Sequence, residues 1–304
     1  MCDLNSNPIV SIIIPVHNGE VYMRKCLDAL IKQDYPKDGY EVIVVDNGSS
    51  DRTPEIVREY EGVVLLFERN IQSSYAARNR GIERAIGDIL AFTDADCTPN
   101  DNWVSEGIRC ITGVGADLVG GRVRFIYSNR QTATELFDSF VNMQNRQCIN
   151  ERAVAKTANL FVSKHVFSKI GLFPSSVKSG GDIIFTDKAS KSGLKLVYCD
   201  KAVVWHPARK FRGLARKSYR TGRGKANIND KTGLQFGIAR TLAGTVMQFF
   251  RFVKPTHFAE RVREENIEAG IFKIARISFI KYVMDVIYGF GGLVGAVSLR
   301  IGKR

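Results

Sequence analysis

Residues 10 to 94 alternate short apolar, β-branched runs with segments of helical periodicity. Parallel strands must be joined by crossover connections, which are usually helices, so this alternation is typical of a doubly wound parallel sheet. It predicts an α/β fold with a mostly parallel central sheet flanked by helices. The predicted strands are 10–14, 40–46, 62–68 and 88–94, and the predicted helices between them are 20–33, 51–60 and 74–87.

Two of these helices carry more detailed expectations. In the first, Val21, Leu27, Leu30 and Ile31 are predicted to share the buried face, because their spacing is close to the helical repeat. The second is predicted to begin at Asp51, whose carboxylate is suited to capping the free N–H groups of a first turn.

Polar and acidic residues follow the predicted strands at the points where the strands end. In open sheets of this kind, ligands bind outside the carboxyl ends of the strands, so a binding site is expected at this edge. Asp94 and Asp96 are the most informative pair there. They could be turn residues, or they could hold a divalent metal and, through it, a phosphate. The polar segments are 15–20, 46–51, 69–70 and 94–97.

The rest of the chain predicts one large domain with an extension. A length of 304 residues, of which 44% are apolar and 25% charged, fits an ordinary globular protein rather than a disordered one. Residues 115–200 are less regular and predict a mixed sheet with loops, whereas helical patterns dominate after about residue 235. The predicted division is a catalytic domain over 1–235 and a helical, amphipathic extension over 236–304.

The six cysteines are scattered and form no CxxC pair. This pattern favours reduced thiols in a cytoplasmic protein over a zinc site. The first ten residues show no basic region followed by a long apolar run, so no secretion signal is expected.

A net charge of +13 calls for a physical explanation, and its distribution suggests one. Residues 201–225 contain nine Lys or Arg and no acid, which predicts a surface for anions or else a strongly basic solvated face. The longest uncharged run in the tail, 286–299, has 14 residues, whereas a spanning helix needs about 20. The tail is therefore expected to lie in the membrane interface or to pack on the protein, which favours work at the inner face of the cell membrane.

Four segments, in order and spacing, resemble the family 2 glycosyltransferases of the GT-A fold. The resemblance covers about residues 8–225, and the four segments span 10–36, 41–57, 76–104 and 157–210. It implies an inverting, metal-dependent enzyme that moves a sugar from a nucleotide diphosphate, most often UDP. The implied acceptor is a hydroxyl of a glycan or a lipid-linked molecule in cell-surface polysaccharide or glycolipid synthesis.

The resemblance also implies which residues bind the nucleotide sugar. Asp46 ends the second strand and can accept a hydrogen bond from a base N–H, while the backbone of 15–18 lies beside it. Glu20 could bind the nucleotide or could simply favour the start of its helix. The residues implied for nucleotide-sugar binding are Pro15, Val16, His17, Asn18, Glu20, Asp46, Arg78, Asp94 and Ala95.

The metal is expected at the "DAD" sequence, which matches the DxD motif of the family. By resemblance Asp96 binds Mn²⁺ or Mg²⁺ directly, and Asp94 binds the ribose or the water shell of the metal. His206 is either a further metal ligand or a structural histidine. Arg209, Lys210 and Arg212 could neutralise the leaving diphosphate.

The catalytic base is expected in "SGGDIIFTDK", residues 179–188, where the family often carries Glu-Asp. Here the pair is Gly181-Asp182, so Asp182 is the candidate base, although it could also be the N-cap of the following helix. A single base opposite the leaving group implies direct displacement with inversion. Four further residues could either line a sugar pocket or belong to the core: Thr157, Asn159, Trp103 and Trp205.

Two other functions are compatible with parts of the sequence. One is a sugar transferase that acts on a small soluble acceptor. The other is a nucleic-acid-binding protein that uses 201–225 as a backbone-tracking groove. The second would leave Asp96 and Asp182 without a role, so no nucleic-acid partner is predicted, and the oligomeric state stays open.

Overall fold

The computed structural model describes residues 8–231, 255–264, 267 and 269–301. The chain forms two compact units, each made of separate segments. The first unit is Met1–Arg124 with Met143–His206, and the second unit is Phe125–Asn142 with Pro207–Arg304. The predicted domain boundary at 235/236 lies outside the described residues and stays a prediction.

The core of the fold is a mixed eight-stranded sheet with helices around it, as the sequence predicted. The order of the strands is β3-β2-β1-β4-β7-β6-β8-β5. The pairs β1–β2, β2–β3 and β1–β4 are parallel, whereas β7 runs antiparallel to both β4 and β6. The strands are β1 Val10–Val16, β2 Tyr40–Asp46, β3 Val63–Phe67, β4 Ile89–Thr93, β5 Thr98–Pro99, β6 Leu118–Ile126, β7 Asn159–Ser163 and β8 Leu196–Pro207.

The register of the parallel strands brings their carboxyl ends to one edge. Val16 pairs with Asp46, and Asp46 pairs with Phe67 in the next strand. On the other side of β1, Ile13 pairs with Phe92, which lies two residues before Asp94. The polar segments after β1, β2 and β4 therefore meet at the same edge of the sheet, as predicted.

Helices surround the sheet in the first unit, and other helices make up most of the second unit. Among the described residues they are α1 Glu20–Leu30, α2 Thr53–Arg58, α3 Ser74–Arg84, α4 Trp103–Val114, α5 Ala133–Val141, α6 Asn145–Arg152, α7 His165–Ile170, α8 Gly181–Lys191, α9 Phe211–Lys231, α10 Pro255–Glu264 and α11 Ile271–Ile301.

The buried face of α1 differs from the predicted one. Leu27 and Leu30 are buried as expected, together with Met23 and Cys26. Val21, in contrast, is 78% exposed and Ile31 is 41% exposed. The buried set follows the i, i+3, i+4, i+7 spacing of one helical face, and Val21 is two positions from Met23, which places it on the opposite side.

A disulfide between Cys110 and Cys199 corrects the prediction that all cysteines are reduced thiols. Helix α4 and strand β8 bring these residues together, with a Cα–Cα distance of 6.2 Å, across a sequence separation of 89. That distance lies within the range that a disulfide can bridge. Cys26, Cys97 and Cys148 are free thiols, and Cys2 lies outside the described residues.

The second unit has its own apolar core, which includes Leu136, Leu214, Phe258 and Ile277. Its helices α9 and α11 approach closely through glycines. A Cβ built at Gly222 would lie 2.0 Å from a backbone oxygen of α11, and one at Gly291 would lie 2.3 Å from a backbone oxygen of α9. One side of α11 is therefore packed on the protein, which is one of the two predicted arrangements for the tail.

Helix α11 is longer than the uncharged run suggested. By length and composition alone, its stretch Ile271–Ser298 could cross a membrane, and 33% of the most apolar window is buried. An unburied face remains, because Phe272, Phe279, Phe290 and Val297 are each more than half exposed. Their spacing of seven and eleven residues aligns them along one side of the helix.

Candidate active site

Asp46 lies at the carboxyl end of β2 and is 2% exposed. Its Oδ1 accepts hydrogen bonds from the N–H groups of Gly48, at 3.1 Å, and Ser49, at 3.0 Å. Gly48 has a φ of +83°, a backbone conformation that favours glycine, and this allows the loop to turn back over the carboxylate. The other oxygen, Oδ2, is buried and accepts no hydrogen bond from any residue that the structure describes. An unsatisfied buried carboxylate oxygen is costly, so Asp46 is suited to accept an N–H from a ligand.

The loop after β1 is tied to the loop after β2. The amide N–H of Asn18 donates to Ser49 Oγ at 2.8 Å, and Asn18 Oδ1 accepts from the N–H of Ser50 at 2.8 Å. Glu20 accepts from the N–H of Arg52 at 3.1 Å. His17 and Asn18 are exposed, whereas Pro15 and Val16 are buried in β1. The carboxylate of Glu20 thus has a structural partner, and its predicted nucleotide role stays a prediction.

Helix α2 begins at Thr53 with Arg52 as its N-cap, so the predicted start and cap at Asp51 are wrong, although Asp51 does bind the start of the helix. Asp51 Oδ1 accepts from the N–H of Thr53, the first residue of α2, at 3.1 Å, and Oδ2 accepts from the N–H of Glu20 at 3.1 Å. Burial alone would raise the pKa of Asp51, but hydrogen bonds from the Thr53 hydroxyl and from the N–H groups of Glu20 and Thr53 outweigh it, and the pKa is lowered.

Arg78 and Asp94 form an ion pair at the mouth of β4. Arg78 Nη2 lies 2.5 Å from Asp94 Oδ1, and the Arg78 side chain is 4% exposed. Helix α3 places Arg78 there because Gly81, one turn further on, packs directly against Ile13 of β1. A Cβ at Gly81 would lie 2.6 Å from the Ile13 side chain. Arg78 Nε is buried and donates to no described residue. One oxygen of Asp94 is therefore already neutralised by a protein cation.

Asp96 has a different partner. Its Oδ2 lies 3.3 Å from Nε2 of His206, which follows Trp205 near the end of β8 and is fully buried. A carboxylate oxygen and an imidazole nitrogen converging in this way are both ligands for Mn²⁺. The described residues contain no group of three or more His, Cys, Asp or Glu that could hold a metal. A divalent metal that keeps one or two protein ligands and takes the rest from substrate phosphates and water suits this donor set.

Two buried thiols lie beneath the DxD sequence. Burial raises the pKa of Cys26 and of Cys97, and the carboxylates of Asp96 and Asp94 add to both increases. A protonated thiol is a poor metal ligand. As thiols, Cys26 donates to the backbone oxygen of Asp94 and Cys97 donates to Asp96 Oδ1.

Asp182 lies in the first turn of α8, one residue after the helix begins. The N-cap of α8 is Gly180, with a φ of +81°, so the alternative in which Asp182 caps the helix is wrong. Its Oδ1 accepts from the N–H of Ile183 at 3.0 Å and from the hydroxyl of Tyr75 at 3.2 Å. Sequence reasoning missed Tyr75, because a tyrosine at the start of a helix carries no signal of a partner 107 residues away.

The candidate sugar-stacking and acceptor residues fall mainly into the core. Trp103 is fully buried against Phe161, with ring centroids 4.9 Å apart, and its indole N–H donates to Asn159 Oδ1. Asn159 also donates two hydrogen bonds to backbone oxygens, so all of its polar atoms are used internally. Thr157 is 4% exposed. Trp205 is partly exposed and lines a surface cavity of ≈550 Å³, so it is the one of these four that a ligand could reach.

The basic residues after His206 belong to the second unit. The backbone N–H of Arg209 donates to Asp138 Oδ2 at 2.8 Å, and its guanidinium lies 3.5 Å from the same oxygen. Lys210 and Arg212 are exposed. Their predicted role at the leaving group stays a prediction.

A family model for glycosyl transferase family 2 matches residues 11–166. Among curated proteins, the glycosyltransferase AglE of Haloferax volcanii is 48% identical over 225 residues, which cover 73% of this chain and 74% of AglE. The poly(ribitol-phosphate) beta-N-acetylglucosaminyltransferase TarS of Staphylococcus aureus is 28% identical over 204 residues, or 63% of this chain, and the match spans 34% of TarS.

Solved structures share the fold at lower identity. The mannosyltransferase PcManGT from Pyrobaculum calidifontis, in complex with GDP-Man and Mn²⁺, aligns with a TM-score of 0.67 at 18% identity and covers 96% of this chain and 88% of PcManGT. TarS 1-349 of S. aureus, in complex with UDP-GlcNAc, aligns with a TM-score of 0.55 at 18% identity over 97% of this chain and 92% of the TarS chain. These likenesses confirm the predicted GT-A fold.

The family match over residues 11–166 includes the carboxyl ends of β1, β2 and β4, where the polar segments of the candidate site meet. Because the family model covers residues 11–166 and a relative 48% identical aligns over most of both proteins, this chain belongs to glycosyl transferase family 2 and is a glycosyltransferase.

Proposed function

We propose that this glycosyltransferase is inverting and metal-dependent, and that it takes its sugar from a UDP-linked donor. The observation that carries the choice of nucleotide is Asp46, with Oδ1 already occupied by two backbone N–H groups and Oδ2 buried without a donor. Uracil offers one ring N–H to a carboxylate, whereas the edge of guanine offers two adjacent donors. One unsatisfied oxygen matches the single N–H of uracil better than it matches guanine.

The diphosphate of the donor is proposed to lie near Asp96 and His206. A Mn²⁺ or Mg²⁺ ion held by these two residues would neutralise the negative charge that builds up on the leaving diphosphate. Asp94, paired with Arg78, is then available through its second oxygen to the ribose or to the water shell of the metal. Pro15, Val16, His17, Asn18 and Ala95 would flank the nucleotide at the ends of β1 and β4.

Asp182 is proposed as the general base for a single displacement. The acceptor hydroxyl gives its proton to the Asp182 carboxylate as its oxygen forms a bond to the anomeric carbon. The bond from that carbon to the diphosphate oxygen breaks, and its electron pair leaves with the UDP. Attack from the face opposite the leaving group inverts the configuration at the anomeric carbon.

The acceptor is proposed to be a glycan or a lipid-linked molecule at the cytoplasmic face of the membrane. Two observations support membrane contact: the exposed apolar side of α11 and the basic residues at the start of α9. Cationic segments beside an apolar face are attracted to anionic lipid.

The choice of donor can be tested with a thermal-shift screen. We expect one or more UDP-sugars with Mn²⁺ to raise the melting temperature, with smaller shifts for GDP-sugars, because a ligand that binds only the folded state stabilises it. Asp46→Asn should reduce the UDP-sugar shift, since an amide no longer presents a carboxylate to the uracil N–H. Asp51→Asn, later in the same loop, is the control and should retain the shift. A larger response to GDP-sugars, or none to any nucleotide sugar, would contradict the proposal.

Membrane contact can be tested by co-sedimentation with vesicles. We expect the protein to bind phosphatidylglycerol vesicles more strongly than phosphatidylcholine vesicles, and a variant with Phe272, Phe279 and Phe290 changed to Ser to lose most of that binding. The control changes three exposed apolar residues of the first unit, Val21, Ile86 and Val114, to Ser. Equal loss in the two variants, or no binding by the unmodified protein, would favour the alternative of a soluble acceptor.

A further inference from the structure

We propose that Tyr75 is a positioning residue that fixes the carboxylate of Asp182, and that Gly181 is glycine because the Tyr75 ring occupies the space beside it. This inference rests on the proposed role of Asp182 as the general base. It adds a residue from another helix to the reaction, and it assigns different tasks to the two oxygens of the base.

The hydroxyl of Tyr75 and the N–H of Ile183 both donate to the same oxygen of Asp182. Tyr75 donates its hydroxyl proton to Oδ1 at 3.2 Å, and the N–H of Ile183 donates to the same oxygen at 3.0 Å. Two donors on one oxygen set the rotation of the carboxylate and occupy that oxygen. The structure therefore assigns Oδ2 as the atom that receives the acceptor proton, with Oδ1 as the anchored oxygen.

The Tyr75 hydroxyl is well suited to remain a donor. The Tyr75 side chain is buried, with 6% exposure. Burial raises the pKa of this phenol, and the nearby negative charge of Asp182 raises it further. At neutral pH the hydroxyl keeps its proton and can donate throughout the reaction.

The ring of Tyr75 also explains the residue before the base. A Cβ built at Gly181 would lie 2.8 Å from two carbons of the Tyr75 ring, a distance that normal side chains do not reach. Gly181 has no positive φ that would require glycine. The requirement at this position is therefore space, and any larger residue at 181 must displace Tyr75.

Helix α3, which carries Tyr75, is held in place at two points. Ser73, the N-cap of α3, donates to the backbone oxygen of Val177 at 2.9 Å, and Asn79 exchanges two hydrogen bonds with the backbone of Phe173. These contacts fix α3 to the segment that leads into α8. The guanidinium of Arg78 also lies 5.6 Å from the centre of the Tyr75 ring. One short helix thus supports both Asp182 and Asp94.

The test is Tyr75→Phe, which removes the hydroxyl and keeps the ring against Gly181. The assay is UDP release from the UDP-sugar with the largest thermal shift, with water as the acceptor. Losing one hydrogen bond to a charged group should lower kcat by about ten-fold. The dissociation constant for UDP and the melting temperature should remain within about two-fold and a few degrees of the unmodified protein. The matched control is Tyr60→Phe, which removes a surface tyrosine–aspartate bond to Asp28 and should leave kcat unchanged.

A second variant, Gly181→Ala, tests the packing half of the inference. The added methyl should push the Tyr75 ring away and lower kcat at least as much as Tyr75→Phe, while Asp182 and its helix remain in place. An unchanged kcat in either variant would overturn the inference. So would a Tyr75→Phe variant whose UDP affinity and melting temperature fall together with kcat, because that pattern indicates a structural residue only.

Failure of the inference can be told apart from failure of the proposed function. If Asp182→Asn abolishes UDP release and Tyr75→Phe does not lower it, the base assignment stands and Tyr75 has no positioning role. If Asp182→Asn leaves UDP release intact, the proposed base is wrong, and the result for Tyr75 then reports on the packing of α3 alone.

Discussion

Replacing Asp182 with asparagine is expected to abolish sugar transfer while leaving the affinity for UDP nearly intact. Asparagine has almost the shape of aspartate and can still accept hydrogen bonds from Tyr75 and from the N–H of Ile183. It cannot take up the proton of the acceptor hydroxyl. A positioned general base typically contributes about 10²–10⁴ to a rate, so kcat should fall by roughly a thousand-fold.

The affinity for UDP should be preserved because no proposed nucleotide or metal contact involves Asp182. The measurement compares kcat for UDP release with the dissociation constant for UDP in the presence of Mn²⁺. Asp187→Asn on the same helix is a suitable control, since Asp187 pairs with Lys191 at the surface and faces no proposed ligand. A variant that loses rate and UDP affinity in proportion would show that Asp182 supports the donor site rather than the base.

The pattern of apolar residues predicted the strand limits most accurately in the parallel part of the sheet. The predicted strand 40–46 matches the observed β2, and the others differ by one or two residues at their ends. Strands buried on both faces must be apolar throughout, so their limits are visible as limits of composition. Val21 shows where this reasoning fails, because the first turn of α1 projects a valine to solvent and hydrophobicity alone does not reveal direction.

Contacts between residues far apart in the chain could not be predicted from the sequence. The Cys110–Cys199 disulfide joins residues 89 positions apart, and the spacing of single cysteines does not specify partners. The same limit applies to two contacts of α3, the ion pair of Arg78 with Asp94 and the hydrogen bond of Tyr75 to Asp182. Both depend on the position of α3, which is set by packing on β1 and by contacts near 173–177. The sequence could identify the carboxylates of the candidate site, but not the residues that hold them.

The position of those carboxylates at the edge of the sheet has a physical reason. Buried apolar strands cannot carry charge, whereas their carboxyl ends open to solvent and can present acids to a ligand. Asp46 differs from the other acids because it is buried at such an end. One of its oxygens has no donor among the described residues. A buried acid of this kind costs stability in the free protein, a cost that natural proteins accept mainly at binding sites.

Replacing Asp96 with alanine is expected to remove the dependence of UDP binding on metal. In the unmodified protein, Mn²⁺ should strengthen UDP binding, and EDTA should weaken it, because the cation links the diphosphate to the protein. Even residues that only support a metal ligand typically contribute about 10–100-fold in affinity, so loss of a direct ligand should cost at least that much. The affinity of the variant for UDP should then be the same in Mn²⁺ and in EDTA, measured by calorimetry.

The control and the competing variant lie within a few residues of Asp96 in the sequence. Asp101→Ala changes an exposed acid five residues further on and should leave the effect of Mn²⁺ unchanged. Asp94→Ala separates the two carboxylates of the motif: it breaks the ion pair with Arg78 and should weaken UDP binding in EDTA as well as in Mn²⁺. If Asp94→Ala instead removes the effect of Mn²⁺ and Asp96→Ala does not, the roles of the two aspartates are reversed. In that case His206, 3.3 Å from Asp96, is a structural partner of that carboxylate and not a ligand.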